Sequence, residues 1–272
     1  MTDKLLLAAG QRVMLIDPKD RRYLITLTSG QSFHTHSGIL DHDKVIGQAD
    51  GEYIEASTGR SFLVLRPTIT DIVLKMPRGA QVIYPKDLGA ILIQADIGPG
   101  MRVLEAGVGS GALSMTLLRA GAVVKGYEIR EDFANHAQNN ARDFLGENLS
   151  YDVEIRDIRE GIDERDLDRI LLDMPDPDLV VAHAFTALKP GGIFLSYLPT
   201  INQVMLLRSA LEREGFAMAE TVEILRRTWH IESRSVRPDH RMVAHTGFLT
   251  SARRLSKPAP KPSPRPSEGE GD

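Results

Sequence analysis

The sequence predicts an α/β fold: a doubly wound, mostly parallel sheet with an antiparallel edge, preceded by a small N-terminal β domain. Three observations carry this reading. From about residue 85, apolar strand-like runs alternate with helical periods, the pattern of a parallel sheet covered on both faces. Before that, residues 10–75 hold short strand-like runs between turns, with no long helical period among them. At the end, two strands follow one another without a long helix between them, which gives the antiparallel edge.

Each element has its own signal. In the first 75 residues, "RVMLI" leads through the turn "DPKD" to "YLITLT", and "STGR" separates "EYIEA" from "FLVLR". Pro85 opens "PKDLGAILIQ", where Leu88, Ile91, Leu92 and Ala95 recur at helical spacing. "GPG" breaks the chain before the buried strand "RVLEAG". The helix "ALSMTLLRA" stops at Gly121, and "AVVKGYEI" is the second strand of the sheet. "DFANHAQNNARDFL" is helical, "YDVEIRD" and "DRILLD" are strands, and "LVVAHAFTAL" is a helix. After the turn "LKPGG" come the strand "GGIFLSYL" and a helix, "INQVMLLRSALERE", that ends at Gly215. "AMAETVEIL" and "RMVAHTGFLT" are the closing strands, the second of which is expected to contain His245. The expected division is 1–75 for the β domain, 76–255 for the α/β domain and 256–272 for a Pro-rich, disordered tail.

Composition narrows the function classes. The chain of 272 residues carries a net charge of −4 and no cysteine, so disulfides and thiolate metal sites are excluded. No apolar run approaches the ~20 residues that span a bilayer, and the N-terminus makes a poor secretory signal, so no membrane association and a cytoplasmic location are expected. His34, His36 and His42 alternate like metal ligands, but no further cluster joins them, and they read as polar strand and loop residues; no metal is expected. Charge distribution says more than the total. Between Arg226 and Arg254, seven arginines and three histidines face only Glu232 and Asp239, a segment suited to a polyanion.

The chemistry centres on "VLEAGVGSGALS". Gly107, Gly109 and Gly111 lie between a strand and a helix, where the backbone can approach a ligand and helix amides are free. Gly107, Gly109 and Ala112 also satisfy the G-x-G-x-x-G/A dinucleotide pattern, and Glu128 stands about 20 residues on, where a carboxylate binds ribose hydroxyls. Glu105 just before the first glycine repels a pyrophosphate and suits a cationic sulfonium or amino-acid group. Asp157 follows the third strand, in reach of an adenine amino group. A nicotinamide-dependent oxidoreductase therefore stays open beside a methyl-donor enzyme.

With "LKPGG" before the fifth strand, residues 85–250 resemble the class I, Rossmann-like S-adenosylmethionine-dependent methyltransferases. The resemblance implies that Glu105, Gly107, Val108, Gly109, Ser110, Gly111 and Ala112 form the methionine cradle of S-adenosyl-L-methionine. It also implies contacts from Glu128 and Arg130 to the ribose and from Asp157 and Ile158 to the adenine, with Asp173 at the methyl.

"YPKD", "LEAGVGSGALS", "LLDMPDP" and "RRTWH…RPDHRMVAHTGFL", with the small β domain, resemble the bacterial and archaeal tRNA (adenine-58-N1)-methyltransferases. This resemblance implies 1-methyladenosine formation in the T-loop of tRNA and assembly as a homotetramer. Asp173, at the end of the fourth strand before Pro175 and Pro177, falls at the carboxyl end of the sheet where ligands bind. It is the candidate catalytic carboxylate, stabilising the adenine ring as it becomes cationic, and Tyr84 is a second catalytic and base-positioning candidate. Arg234, Arg237, His240 and Arg241 are expected to contact phosphates or border the adenine pocket. Trp229 is expected to pack, and Asp176 to be a loop residue without a task. Asp178 departs from the family pattern, which carries Trp there. A non-catalytic RNA-binding subunit on the same fold is the remaining alternative, which the intact loop, Glu128 and Asp173 oppose.

Overall fold

A computed structural model describes residues 6–76, 79 and 81–257. The N-terminal strands β1 (Arg12–Ile16), β2 (Arg22–Thr26), β3 (Ser32–Thr35), β4 (Gly38–Asp41), β5 (Tyr53–Glu55) and β6 (Ser61–Leu65) form an antiparallel sheet in the order β2-β1-β6-β5 and a separate β3–β4 hairpin. Alternating residues of these strands point inward, so Val13, Leu15, Phe62 and Val64 make a closed apolar core with Leu7, Leu27 and Leu40. Short strands with one apolar face are stable only when they wrap such a core. The chain then enters a helix, α1 (Ile69–Lys75), within the span expected to hold only strands and turns. Its signal is the capping box of Thr68 and Asp71, in which each side chain bonds the other residue's backbone N–H.

The remaining elements are α2 (Pro85–Gln94), β7 (Arg102–Ala106), α3 (Ala112–Arg119), β8 (Val123–Glu128), α4 (Glu131–Leu145), β9 (Tyr151–Ile155), β10 (Leu167–Leu172), α5 (Val181–Ala187), β11 (Leu188–Leu198), α6 (Ile201–Arg213), β12 (Phe216–Glu223), β13 (Trp229–Glu232), β14 (Ser235–Pro238) and β15 (Phe248–Arg254). Seven strands pair in the order β12-β15-β11-β10-β7-β8-β9. The five from β11 to β9 are parallel, and β15 runs antiparallel between β11 and β12. The antiparallel edge is thus an inserted strand with a further strand outside it. Parallel strands need helical crossovers, and these cover both faces with two apolar layers.

Two elements differ from their sequence signals. Lys189–Gly192 of "LKPGG" lie inside β11 but leave its register, because Leu188 pairs with Leu167 while the next pair is Arg169 with Ile193. The segment between β12 and β15 is a separate two-stranded hairpin, β13–β14, and His245 stands before β15 rather than inside it. The expected disorder of the tail falls almost wholly outside the described residues. Among the described residues no helix is long and apolar enough to cross a membrane.

Candidate active site

Strand order reverses beside β7, and in an open α/β sheet the crevice at that point receives the ligand. The loops after β7 and β10 meet there: Asp173 N donates to Ala106 O at 2.9 Å. Gly107 has φ +81°, and a Cβ on it would stand 2.0 Å from the Asp173 carbonyl oxygen. Only a residue without a side chain lets the two loops come this close. Gly111, at φ +83°, caps α3 where an added Cβ would press on the Ala137 Cα of α4 at 3.0 Å.

The crevice is a cavity of about 440 Å³, a volume suited to a small organic ligand. Glu105, Gly107, Val108, Gly109, Ser110 and Ala112 line it from the first loop, and Glu128 and Arg130 from the end of β8. Asp157 and Ile158 enter after β9, and Asp173 after β10. Gly111 faces α4 and does not line the cavity. Residues that sequence reasoning passed over also contribute, among them Ile83, Tyr127, Phe133 and Met174, whose apolar character is indistinguishable in sequence from core. Asp176, read as an idle loop residue, reaches the lining.

Electrostatics select the ligand. Glu105 has no exposed surface; its Oε2 accepts from Ser114 Oγ at 2.6 Å, and Tyr151 OH donates to that same Oγ at 2.8 Å. Its Oε1 and the Ser110 Oγ are buried without a hydrogen-bond partner among the described residues. Burial pushes the Glu105 carboxyl up to about 8, Ser114 opposes this, and the nearby Asp173 and Glu128 add to it. Burial also pushes Asp173 up to about 7, and no described side chain hydrogen-bonds its carboxylate. Glu128 is buried and accepts from Gly109 N at 3.0 Å and Arg130 N at 3.1 Å.

The arginines around the cavity are already paired: Arg130 with Asp132 at 2.7 Å, Arg159 with Asp157 at 2.6 Å, and Arg156 with Asp163. Arg159 holds Asp157 below the usual carboxylate range. The three glycine amides of the loop are already bonded, Gly107 N to Tyr127 O, Gly109 N to Glu128 and Gly111 N to Val108 O. A pyrophosphate needs free amides and free cations. This crevice offers carboxylates and unpaired buried acceptors, which fit a cationic ligand bearing hydroxyl and ammonium donors.

The raised carboxyls make a prediction for stability. An acid whose pKa rises on folding binds more protons in the native state, so stability is present at low pH and is lost as pH climbs from the unfolded value toward the folded one. For Glu105 that window runs from 4.5 to about 8. The ligand-free protein should therefore melt at progressively lower temperature across this range, and Glu105→Gln should flatten the slope. Thermal melts of both proteins from pH 5 to pH 8 check this; parallel slopes would rule Glu105 out as the source.

Two tyrosines stand close to Asp173 or to each other on the neighbouring elements. Tyr197 is on β11, the neighbour of β10, and its hydroxyl donates to Thr246 O at 2.6 Å. Burial pushes that hydroxyl up to about 12, and Asp87, Asp173 and Tyr84 close by add to the rise. Tyr197 packs against the apolar layer, as a tyrosine in an apolar strand is expected to, and does not line the cavity. Tyr84 caps α2 one residue beyond Ile83 and is near Tyr197, but it does not line the cavity. Asp178 is partly exposed in the turn 177–180 and does not line it either.

Arg234, Arg237, His240 and Arg241 are exposed on or just after the β13–β14 hairpin and lie outside the cavity lining. Trp229, expected to pack, is 56 % exposed and shares one face of the hairpin with exposed Ile231. A two-stranded ribbon has no second layer to bury its apolar face. His245 is bonded through Nδ1 to Glu223 Oε1 at 2.7 Å and through Nε2 to Pro199 O at 2.9 Å, which hold its pKa above the usual histidine value. His34, His36 and His42 stay in the N-terminal domain, where His42 Nδ1 accepts from Thr28 N at 3.0 Å.

Comparison with known proteins agrees with this geometry. Residues 61–240 match the family described as "tRNA methyltransferase complex GCD14 subunit", and residues 6–54 match "TrmI-like N-terminal". A Methanocaldococcus jannaschii protein, tRNA (adenine(57)-N(1)/adenine(58)-N(1))-methyltransferase TrmI, is 37% identical, with 88% of this chain and 94% of the relative aligned. The structure of Aquifex aeolicus tRNA (m1A58) methyltransferase TrmI superposes with a TM-score of 0.81 and 32% identity, covering 93% of this chain and 100% of the other. A Thermotoga maritima protein described as a SAM-dependent O-methyltransferase superposes at 0.88 with 35% identity, covering 93% and 96%. The carboxylate-rich crevice, the family match over more than half of the chain and the relatives along most of its length make this protein a member of the GCD14/TrmI family of tRNA methyltransferases.

Proposed function

We propose that this protein transfers a methyl group from S-adenosylmethionine to N1 of adenine 58 in the tRNA T-loop, giving 1-methyladenosine. The observation that carries this reading is the unbonded carboxylate of Asp173, held against the glycine loop in a crevice whose own charges favour a cation. S-adenosylmethionine fits the crevice: Glu105 Oε1 and Ser110 Oγ are unpaired buried acceptors for its amino-acid end, and Glu128 is fixed by two backbone donors for its ribose. Asp157 and Ile158 take the adenine end. When bound, it supplies a methyl group on a positive sulfur that leaves without acid assistance.

The chain's own residues do the rest. Adenine N1 already carries a lone pair, so the site needs no general base for the attack. Methylation makes the ring cationic, and Asp173 accepts from the N6 amino group and stabilises that charge where water is excluded. Tyr84 and Tyr197 border the acceptor side and orient the flipped base. Arg234, Arg237, His240 and Arg241 grip phosphates on the exposed hairpin, with Trp229 available for stacking. A cytoplasmic homotetramer belongs to the same proposal; it rests on the family resemblance and on the uncovered apolar face of the hairpin.

Nucleoside mass spectrometry of tRNA incubated with the protein and S-adenosylmethionine is the test. We expect 1-methyladenosine mapped to position 58. A ribose-methylated product would transfer the protein to oxygen chemistry, and stabilisation by NAD(P) but not by S-adenosylhomocysteine would restore the oxidoreductase reading.

A further inference from the structure

Where the basic hairpin leaves and rejoins the fold, its ends are tied at the surface by the His245–Glu223 bond and the Arg226–Val243 bridge, and beneath these by a buried knot. Lys86 Nζ donates to Asp87 Oδ1 at 2.8 Å, to Ile224 O at 2.6 Å and to Thr246 Oγ1 at 2.5 Å, which uses all three ammonium donors. Thr246 Oγ1 donates in turn to Asp87 Oδ2 at 2.7 Å. Asp87 has no exposed surface, and the Lys86 side chain is 5% exposed. Ile224 directly follows β12, and Thr246 lies just before β15. Residues 225–245, with the hairpin and its arginines, are therefore a loop whose two ends are pinned at one point. That point is the first turn of α2, whose N-cap Tyr84 directly follows Val82 and Ile83 of the cavity lining. Thr246 also holds the hydroxyl of Tyr197 through its carbonyl. A buried ion pair adds little net stability over a well-packed apolar pair, so stability is a weak reason to bury this one.

We infer that Lys86, Asp87 and Thr246 are positioning residues that hold the basic hairpin in fixed register with the methyl-transfer crevice, so that phosphates gripped on the hairpin place the base at Asp173. The inference rests on the tRNA reading above. Its test is Thr246→Val, which keeps the shape but removes the hydroxyl that closes the ring between Lys86 and Asp87. kcat/KM for tRNA should fall about tenfold, the size of one lost hydrogen bond to a charged group. Thr246→Ser should restore it, and both variants should bind S-adenosylhomocysteine as the unsubstituted protein does, with the valine variant melting a few degrees lower because its buried Lys86 and Asp87 each lose a partner.

The decisive step repeats Thr246→Val in a background with Arg234, Arg237 and Arg241 changed to alanine. If the knot works through the hairpin, the second substitution costs less than about twofold there, because effects on one coupled unit do not add. The same tenfold loss in that background would place the knot's role in the crevice alone and overturn the inference. So would a parallel loss of melting temperature and S-adenosylhomocysteine affinity. If Thr246→Val does not fold, Lys86→Met with Asp87→Leu removes both buried charges at similar volume and enters the same cycle. An unsubstituted protein that neither binds nor methylates tRNA would sink the functional reading itself. One that does both, with the valine variant indistinguishable from it, would sink only this inference.

Discussion

Asp173→Ala is expected to lower kcat for tRNA methylation by about 10³, while S-adenosylhomocysteine binds within about threefold of its normal affinity. The size follows from what the residue does. A preorganised charge beside a developing cation in a water-poor site supplies about 10²–10³ of rate, and truncation also frees the base to move. Asp173→Asn keeps the shape and an acceptor but removes the charge, so it should fall between the alanine variant and the unsubstituted protein. S-adenosylhomocysteine is the right affinity probe because it lacks the sulfonium charge that Asp173 attracts.

The same residue sets a pH dependence. Burial lifts the Asp173 carboxyl to about 7, and only its ionised form stabilises a cationic ring. Raising the pH ionises it, so kcat/KM should climb with pH to a plateau above about 7. Asp173→Asn has nothing to titrate there and should lose that limb. A limb that survives in the asparagine variant belongs to another group, and Asp173 would leave the mechanism.

Much of the site was legible in sequence because its parts are local. The glycine loop, Glu128, Asp157 and Asp173 each sit within a few residues of a strand end, and the alternation of strands and helices brings those ends together. The bond from the Tyr197 hydroxyl to Thr246 O was not legible, since the two residues stand 49 positions apart and on different elements. Trp229 was misjudged for a different reason: its strand is real, but the ribbon has no partner layer. The apolar residues around His245 give a strand pattern, whereas its ring is held just before β15 by Glu223 at the end of β12 and by Pro199 O. The Lys86–Asp87–Thr246 knot joins residues 138 to 160 positions apart, and no spacing rule reaches that far. Only α1 was overlooked with its signal in plain view, at Thr68 and Asp71.

Gly107→Ala should abolish cofactor binding and lower stability by about 3 kcal/mol or more, a larger effect than any single polar substitution in the cradle. Two costs combine. An alanine at φ +81° pays about 1–2 kcal/mol for the left-handed conformation alone. Its Cβ would also stand 2.0 Å from the Asp173 carbonyl oxygen, which is backbone and cannot swing aside, so the loop after β10 must move bodily. The displaced loop carries Asp173, so the variant should lose the catalytic geometry together with the cradle. Gly89→Ala is the control with the opposite sign. It lies on the exposed face of α2, where an added Cβ meets nothing within 4 Å, and a helical glycine changed to alanine gains about 0.5–1 kcal/mol. Denaturant melts and S-adenosylhomocysteine titration of the two variants separate the effects. If Gly107→Ala matched Gly89→Ala in both, the loops after β7 and β10 would not be in the contact that places Asp173 at the methyl donor.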